Sequence, residues 1–355
     1  MTQTLFTVGP VEMYPETLKI GGEQLPYFRT PEFSQCTLDC ERILKDLADA
    51  PKDSRAVFLT ASGTGAMEAA VINTLTDQDR ALIVVGGSFG HRYTEICDDN
   101  GIPYDTIDLE PGTSLDPASL RAMDLRPYKA LLINAHETST GLLYEVEAIG
   151  AICKANGLLF IVDAISAFLC DTISMKSMNI DVLITSSQKA LALAPGLSII
   201  VLAPSAIQSV SRIKVRSHYF GLAKYLADGT RGQTPFTPAV GIILQLHRRL
   251  QDIALIGAAE MVERAANLAG HFRESLAGAP YTLFPQHPSN ALTALCPKSG
   301  VSAYDVYTRL KEDYGLVVTP NGGALRDRVF RVGHMGNLTE KDLDALEKAL
   351  RKVAP

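Results

Sequence analysis

Val182-Leu183-Ile184-Thr185-Ser186-Ser187-Gln188-Lys189-Ala190-Leu191 reads as a buried strand that runs into a polar turn carrying one lysine. In α/β sheets ligands bind just beyond the carboxyl ends of strands, so Lys189 stands where chemistry is done. A lone lysine at such a place is ordinarily a surface residue, and its neighbours decide the matter. Upstream lie further short apolar runs: Val57–Leu59, Ala81–Val85, Ala130–Ile133 and Leu158–Val162; Ser198–Leu202 follows downstream. These runs are continuous rather than alternating, as expected of strands covered on both faces in a mostly parallel sheet. Residues 66–75 and 146–155 carry apolar side chains at helical spacing, the second ending in Asn156-Gly157, a helix stop. The pattern predicts an α/β fold with helices on both faces of the sheet.

Beyond residue 235 the pattern changes. Residues 237–277 read as helix with a break at Gly257. Short strands are expected at 281–284 and 291–296. Ser302 with Asp305, and Thr339 with Asp342, mark two helix starts, the last helix running to about Val353. This tail reads as a smaller α+β domain. At 355 residues the length suggests two domains.

A hydrophobic content of 46% and a charged content of 20% exclude disordered, collagen-like and coiled-coil chains. The net charge of −6 argues against broad binding to nucleic acid or to an anionic membrane. No apolar run is long enough to cross a bilayer, and the start of the chain lacks the basic and apolar regions of a signal peptide. Six cysteines, with Cys36 and Cys40 four apart, lack the partners of a zinc site. They read as reduced thiols of a cytoplasmic protein.

Five more segments surround Lys189 with chemistry. Asp163 ends the apolar run Phe160-Ile161-Val162, where a carboxylate needs a cationic or hydrogen-bonding partner. Alone it could bind a ribose, ligate a metal or cap a helix. Together with Lys189 it suits one more role, because pyridoxal phosphate needs a lysine for its Schiff base and an acid for its pyridine nitrogen. Ser62-Gly63-Thr64-Gly65 links a strand to a helix and lacks the Gly-x-Gly-x-x-Gly spacing of dinucleotide sites. It suits a monophosphate held by backbone N–H groups and hydroxyls, or it is an ordinary turn. His136 to Gly141 brings hydroxyls to the same sheet edge. Phe89, within Gly86 to Arg92, could stack on a flat ring or serve the core. Arg331, inside the apolar run Val329 to Val332, needs an anion: a substrate carboxylate, or a structural ion pair.

Taken with Thr7-Val8-Gly9-Pro10, Arg29-Thr30-Pro31-Glu32-Phe33 and Arg331-Val332-Gly333, these segments resemble the class V aminotransferases of fold-type I pyridoxal-phosphate enzymes. The likeness is greatest to alanine–glyoxylate, serine–glyoxylate and 2-aminoethylphosphonate–pyruvate aminotransferases, and it spans nearly the whole chain. The resemblance implies the fold-type I transferase fold, with residues 1–20 as an arm at the active-site edge, 21–255 as a large cofactor-binding domain and 256–355 as a small C-terminal domain. It implies that Lys189 forms the Schiff base and moves the proton, and that Asp163 pairs with the pyridine nitrogen. Ser62, Gly63 and Thr64 would hold the phosphate, with Gln188 beside them and Phe89 on the ring. Thr138 or Ser139 would bond the ring hydroxyl. Arg331 would clamp the substrate carboxylate, helped by backbone near Gly9, with Tyr27 and Phe28 lining the pocket. Thr234, in Gln233-Thr234-Pro235, would reach the partner subunit's phosphate, implying a homodimer with a shared site. Tyr27-Phe28 and Arg231 depart from the residues usual in the family, which leaves the amino donor open. Arg29, Arg92 and Arg231 could read a second anion or lie on the surface.

The implied activity is ping-pong transfer of an amino group from alanine, serine or 2-aminoethylphosphonate to pyruvate or glyoxylate. The rivals are a lyase or decarboxylase on the same cofactor, a desulfurase, and a non-catalytic cofactor-binding protein. A desulfurase needs a thiol on a mobile loop, and the only late cysteine, Cys296, falls in an expected strand.

Overall fold

The computed structural model describes residues 3–298 and 300–353, so the extreme ends of the chain lie outside it. Seven strands form the main sheet: β1 (Arg55–Leu59), β2 (Ala81–Val85), β3 (Tyr104–Asp108), β4 (Ala130–Asn134), β5 (Leu159–Asp163), β6 (Val182–Ser186) and β7 (Ser198–Leu202). Their order is β1-β7-β6-β5-β4-β2-β3. Only β7 runs against its neighbours, which are β1 and β6. Every other adjacent pair is parallel.

The continuous apolar runs are explained by what covers the sheet. In β4 and β5, Leu131, Ile133, Phe160 and Val162 enter the core on one face. Their alternates Ala130, Leu132, Leu159 and Ile161 enter the core on the other. Each fully buried aliphatic side chain contributes roughly 1.5–3 kcal/mol, and the buried polar residues Asn134, Asp163, Thr185, Ser186 and Ser198 gather at the site end of the strands. The strand β3 was not evident from sequence. It is the sheet edge, pairs only with β2, and its Tyr-Asp-Thr-Ile-Asp sequence is largely polar and partly exposed.

Helix Gly63–Thr74 begins three residues before the apolar pattern does. The expected break at Gly257 is real: a φ of +89° separates helices Val240–Ile256 and Ala258–Ser275. The last helix, Glu340–Val353, has the reciprocal cap expected of Thr339 and Asp342. Ser302 caps helix Ala303–Tyr314 through the N–H of Tyr304, and its hydroxyl donates to Asp327 rather than meeting Asp305.

A four-stranded sheet takes the order Tyr281–Leu283, Leu292–Pro297, Phe330–Gly333, Thr319–Pro320. Its core gathers Leu295, Phe330 and Val332 with Leu310, Leu343 and Leu350 of the flanking helices. The N-terminal segment reaches across to this sheet. Thr4–Leu5 pairs with Leu316–Val317, and Gly333 N–H donates to Phe6 C=O at 2.8 Å. That path carries Val8 and Gly9 from the strand bearing Arg331 to the carboxyl ends of β5 and β6.

Candidate active site

Five of the strand-end segments singled out in the sequence lie at the carboxyl edge of the main sheet. Asp163 is the last residue of β5, and Lys189 follows β6 by three residues. Both are buried. The Lys189 Nζ donates to the Val8 carbonyl. Gly9 sits against the lysine stem: a Cβ there would lie 2.8 Å from Lys189 Cδ, and its φ of +126° suits glycine alone.

The electrostatics are those of a site short of counterions. Burial, reinforced by Arg331, pushes the Lys189 ammonium down to about 8, against the pull of Asp163. Burial raises the Asp163 carboxyl to about 6, although it accepts an N–H from Ile165 at 2.8 Å. Arg331 lies in the strand Phe330–Gly333 and is also buried. Its Nη1 donates to the Thr138 carbonyl at 3.0 Å and its Nη2 to the Pro320 carbonyl at 2.6 Å. Its Nε has no partner, and among the described residues no carboxylate pairs with it. Desolvation lowers its pKa to about 10. A guanidinium held only by carbonyls, with a free N–H edge, is suited to an incoming carboxylate.

The turn Ser62 to Gly65 meets the requirements of an anion cradle. Ser62 occupies the N-cap of a twelve-residue helix, yet its hydroxyl bonds none of the helix N–H groups. The free N–H groups of a first helical turn carry partial positive charge. A Cβ on Gly63 would lie 2.3 Å from Ile165 Cδ1, so a side chain there would displace the end of Ile165. Arg92 donates to Thr64 Oγ1 at 3.2 Å and lies over the Phe89 ring at 4.8 Å, which ties that ring to the cradle. Gln188 is half-buried beside Lys189.

The hydroxyls at 138 and 139 separate in role. Thr138 Oγ1 exchanges a hydrogen bond with Ser166 Oγ at 2.7 Å. Ser139 Oγ is bound to the Glu137 carboxylate at 2.5 Å and accepts from Ser88 N–H at 3.2 Å. Of the two residues expected to meet a ring hydroxyl, Ser139 is therefore committed elsewhere, and Thr138 is the one left.

The segments carrying Tyr27, Phe28 and Thr234 are tied to one another. Arg29 donates to Gln233 Oε1 and the Thr234 carbonyl, at 3.0 and 2.9 Å. Gln233 in turn donates to the Phe28 carbonyl. Phe28 packs on Phe33, Tyr27 is 68% exposed, and the Thr234 hydroxyl donates to the Phe236 carbonyl. Arg231 pairs with Asp228 on the surface of the chain, the ion-pair reading among those left open for it. Arg29 is likewise engaged in holding its own loop.

Sequence reading missed four residues here: Glu137, Ile165, Ser166 and His136. His136 is buried with neither ring nitrogen partnered, and burial, with Lys189 and Arg331 near, lowers it to about 3. It stands neutral. A histidine beside a Glu-Thr-Ser-Thr run gives no hint of burial, and only the strand pairing with Leu143 provides it.

The chain is similar to known proteins over nearly its whole length. A sequence model of the family described as "Aminotransferase class-V" matches residues 29–343. A "Soluble hydrogenase, small subunit" of Synechococcus sp. (strain PCC 6716) is 30% identical, over 98% of this chain and 92% of its own. The L-aspartate–glyoxylate aminotransferase of Paracoccus denitrificans is 26% identical, over 95% of this chain and 87% of its own. Among solved structures, an alanine–glyoxylate aminotransferase from Nostoc sp. superposes with a TM-score of 0.94 at 26% identity, covering 100% of this chain and 96% of that one.

Proposed function

The chain belongs to the aminotransferase class-V family and is a pyridoxal-phosphate-dependent aminotransferase of fold type I; on that premise we propose that it moves the amino group of a small amino donor to pyruvate or glyoxylate. The observation that carries this reading is Lys189, buried with a lowered pKa, sharing its site with Asp163 and a guanidinium that has no carboxylate. The residues present fit the cofactor. Ser62, Gly63 and Thr64 would hold its phosphate, Phe89 and Ile165 would flank its ring, and Thr138 would meet its ring hydroxyl.

The cofactor supplies an electron sink for the α-carbon of the donor when its pyridine nitrogen is protonated. Asp163 holds that proton by presenting a carboxylate in a desolvated place. Lys189, with a pKa near the working pH, takes the α-proton as free amine and returns it on the other side of the transfer. Arg331 orients the donor by its carboxylate, and the Val8–Gly9 backbone confines the lysine. A covalent exchange of this kind gives ping-pong kinetics.

Supporting a homodimer are the exposed apolar side chains of Leu18, Leu25 and Tyr27. No described helix is long and apolar enough to cross a membrane, and a cytoplasmic location is part of the same proposal. The division at residues 20 and 255 is proposed on the two sheets, the smaller of which gathers a core around Phe330 and Leu343. The desulfurase alternative is not favoured: Cys296 lies in the strand Leu292–Pro297 and burial pushes its thiol up, away from the reactive thiolate.

The test is a single half-reaction. Purified holoenzyme is mixed with alanine, serine, glutamate, aspartate or 2-aminoethylphosphonate, and the yellow absorbance is followed with pyridoxamine phosphate formation. Conversion by one donor, reversed by pyruvate or glyoxylate, supports the reading. Release of carbon dioxide or sulfide without pyridoxamine phosphate would overturn it.

A further inference from the structure

Glu137 has no place in the proposed mechanism, yet no carboxylate among the described residues is more completely enclosed. It is 0% exposed and makes no ion pair among the described residues, although its charge is felt by Arg331. It is held by five donors instead. Oε1 accepts from Ser139 N–H at 3.1 Å, Ser139 Oγ at 2.5 Å and Phe89 N–H at 3.4 Å. Oε2 accepts from Gly90 N–H and Asn134 Nδ2, both at 3.0 Å.

These donors come from three elements: the end of β4, the loop carrying Thr138, and the first turn of helix Ser88–Asn100. The N-cap of that helix is Gly87, which has no side chain to cap with. Glu137 therefore caps it from a distant part of the chain. A carboxylate at a helix N-terminus is electrostatically favoured, and bonds from N–H to an ionised acceptor are roughly twice as strong as neutral ones. The fit is close: a Cβ on Gly87 would lie 2.5 Å from Glu137 Cδ. One carboxylate thus fixes the position of Phe89 on one side and of Thr138 on the other.

Resting on the reading of Phe89 and Thr138 as the cofactor's ring contacts, we propose that Glu137 is a positioning residue that sets the tilt and seat of the cofactor ring. It touches neither cofactor nor substrate. It acts by holding the ring-stacking helix and the hydroxyl-bearing loop at one separation.

The substitution that tests this is Glu137→Gln. All five partners donate, so the glutamine NH₂ faces donors whichever way the amide turns. The readouts are the dissociation constant of pyridoxal phosphate and the circular dichroism of its bound visible band, which reports ring orientation. The variant should lose cofactor affinity by about tenfold or more, the size of one charge-assisted hydrogen bond. Its visible dichroism per bound cofactor should change. Ser139→Ala, which removes only the hydroxyl link, should shift both in the same direction by less, and serves should Glu137→Gln not fold. Glu41→Gln is the control for simple loss of stability. Glu41 is a buried carboxylate paired with Arg55 at 2.6 Å and accepting from Ala56 N–H at the opposite end of the sheet. Breaking that buried pair should lower thermal stability and leave affinity and dichroism unchanged. Glu137→Gln with wild-type dichroism and affinity, while Thr138→Val and Phe89→Leu alter them, overturns the proposal alone. If Thr138→Val and Phe89→Leu also leave both readouts unchanged, the assignment of the ring site is wrong and the proposal falls with it.

Discussion

Replacing Asp163 by asparagine should stabilise the cofactor-free protein while weakening its hold on the cofactor. In the folded chain the Asp163 carboxyl has a pKa of about 6 rather than 3.8, with burial as the dominant cause. At pH 7.5 the group is ionised in both folded and unfolded states, and only the folded one bears the desolvation cost. A shift of roughly 2 units corresponds to about 3 kcal/mol. Asparagine is neutral and keeps an oxygen for the Ile165 N–H, so most of that cost is removed. For a chain of this length, with an unfolding entropy near 2.1 cal/mol/K per residue, the gain is a Tm rise of about 4 °C. The gain fades with acid. As pH falls through about 6 the wild-type carboxyl takes up a proton and its penalty shrinks, disappearing below its unfolded value of 3.8. The advantage of the variant should therefore be full above pH 7 and gone near pH 4. The assay is calorimetry of dialysed, cofactor-free protein across that range, with cofactor titration alongside. A variant less stable than wild type at pH 7.5, or equally favoured at pH 4, would refute the reasoning.

Three further outcomes are expected. Arg331→Gln should raise the KM for the amino donor about 10- to 100-fold with a smaller change in kcat, as loss of a charge-assisted carboxylate contact predicts; steady-state kinetics with varied donor would show it, and an unchanged KM would remove Arg331 from the substrate site. Attachment of pyridoxal phosphate to cofactor-free protein, trapped by borohydride, should quicken with pH and level off above about 8, because free amine is the reacting form of Lys189. A rate still climbing through pH 9.5 would mean that the lysine is unperturbed. Gly9→Ala should destabilise the protein by about 1–3 kcal/mol through its backbone conformation and slow that same attachment by crowding the lysine stem, measured by denaturant unfolding and the trapping assay.

Legibility from sequence followed burial. The strands β2 and β7 are evident residue for residue because both faces are covered, so that Ser198 is the one polar position in the two. The polar edge strand β3 carried no such signal. Lys189, Asp163 and Arg331 stood out because a charge at the end of, or within, an apolar run demands explanation. Glu137 did not: a glutamate among threonines and serines reads as solvated, and the donors that bury it at Phe89 and Gly90 lie 48 and 47 positions away. Ser139 and Thr138 are indistinguishable as letters, and only the Glu137 bond separates them. Arg231 had the composition of a pocket residue and the surroundings of a surface one, since its partner Asp228 is a helical neighbour.

The antiparallel strand β7 has a consequence for the order in which the molecule is assembled. The strand β1, which launches the Ser62 turn, bonds within the sheet to β7 alone, with Leu59 opposite Ser198. As the chain leaves the ribosome, β2 to β6 can pair with one another while β1 has no neighbour. The phosphate cradle, early in sequence, is thus late in construction, and the arm that confines Lys189 waits longer still for its partner at Leu316–Val317. Closing such long loops is slow, and vectorial synthesis enforces the sequence of events. Ser198–Leu202 leaves the ribosome almost with Lys189, so the phosphate turn is seated soon after the lysine, and the arm that confines the lysine is the last piece of the site to arrive.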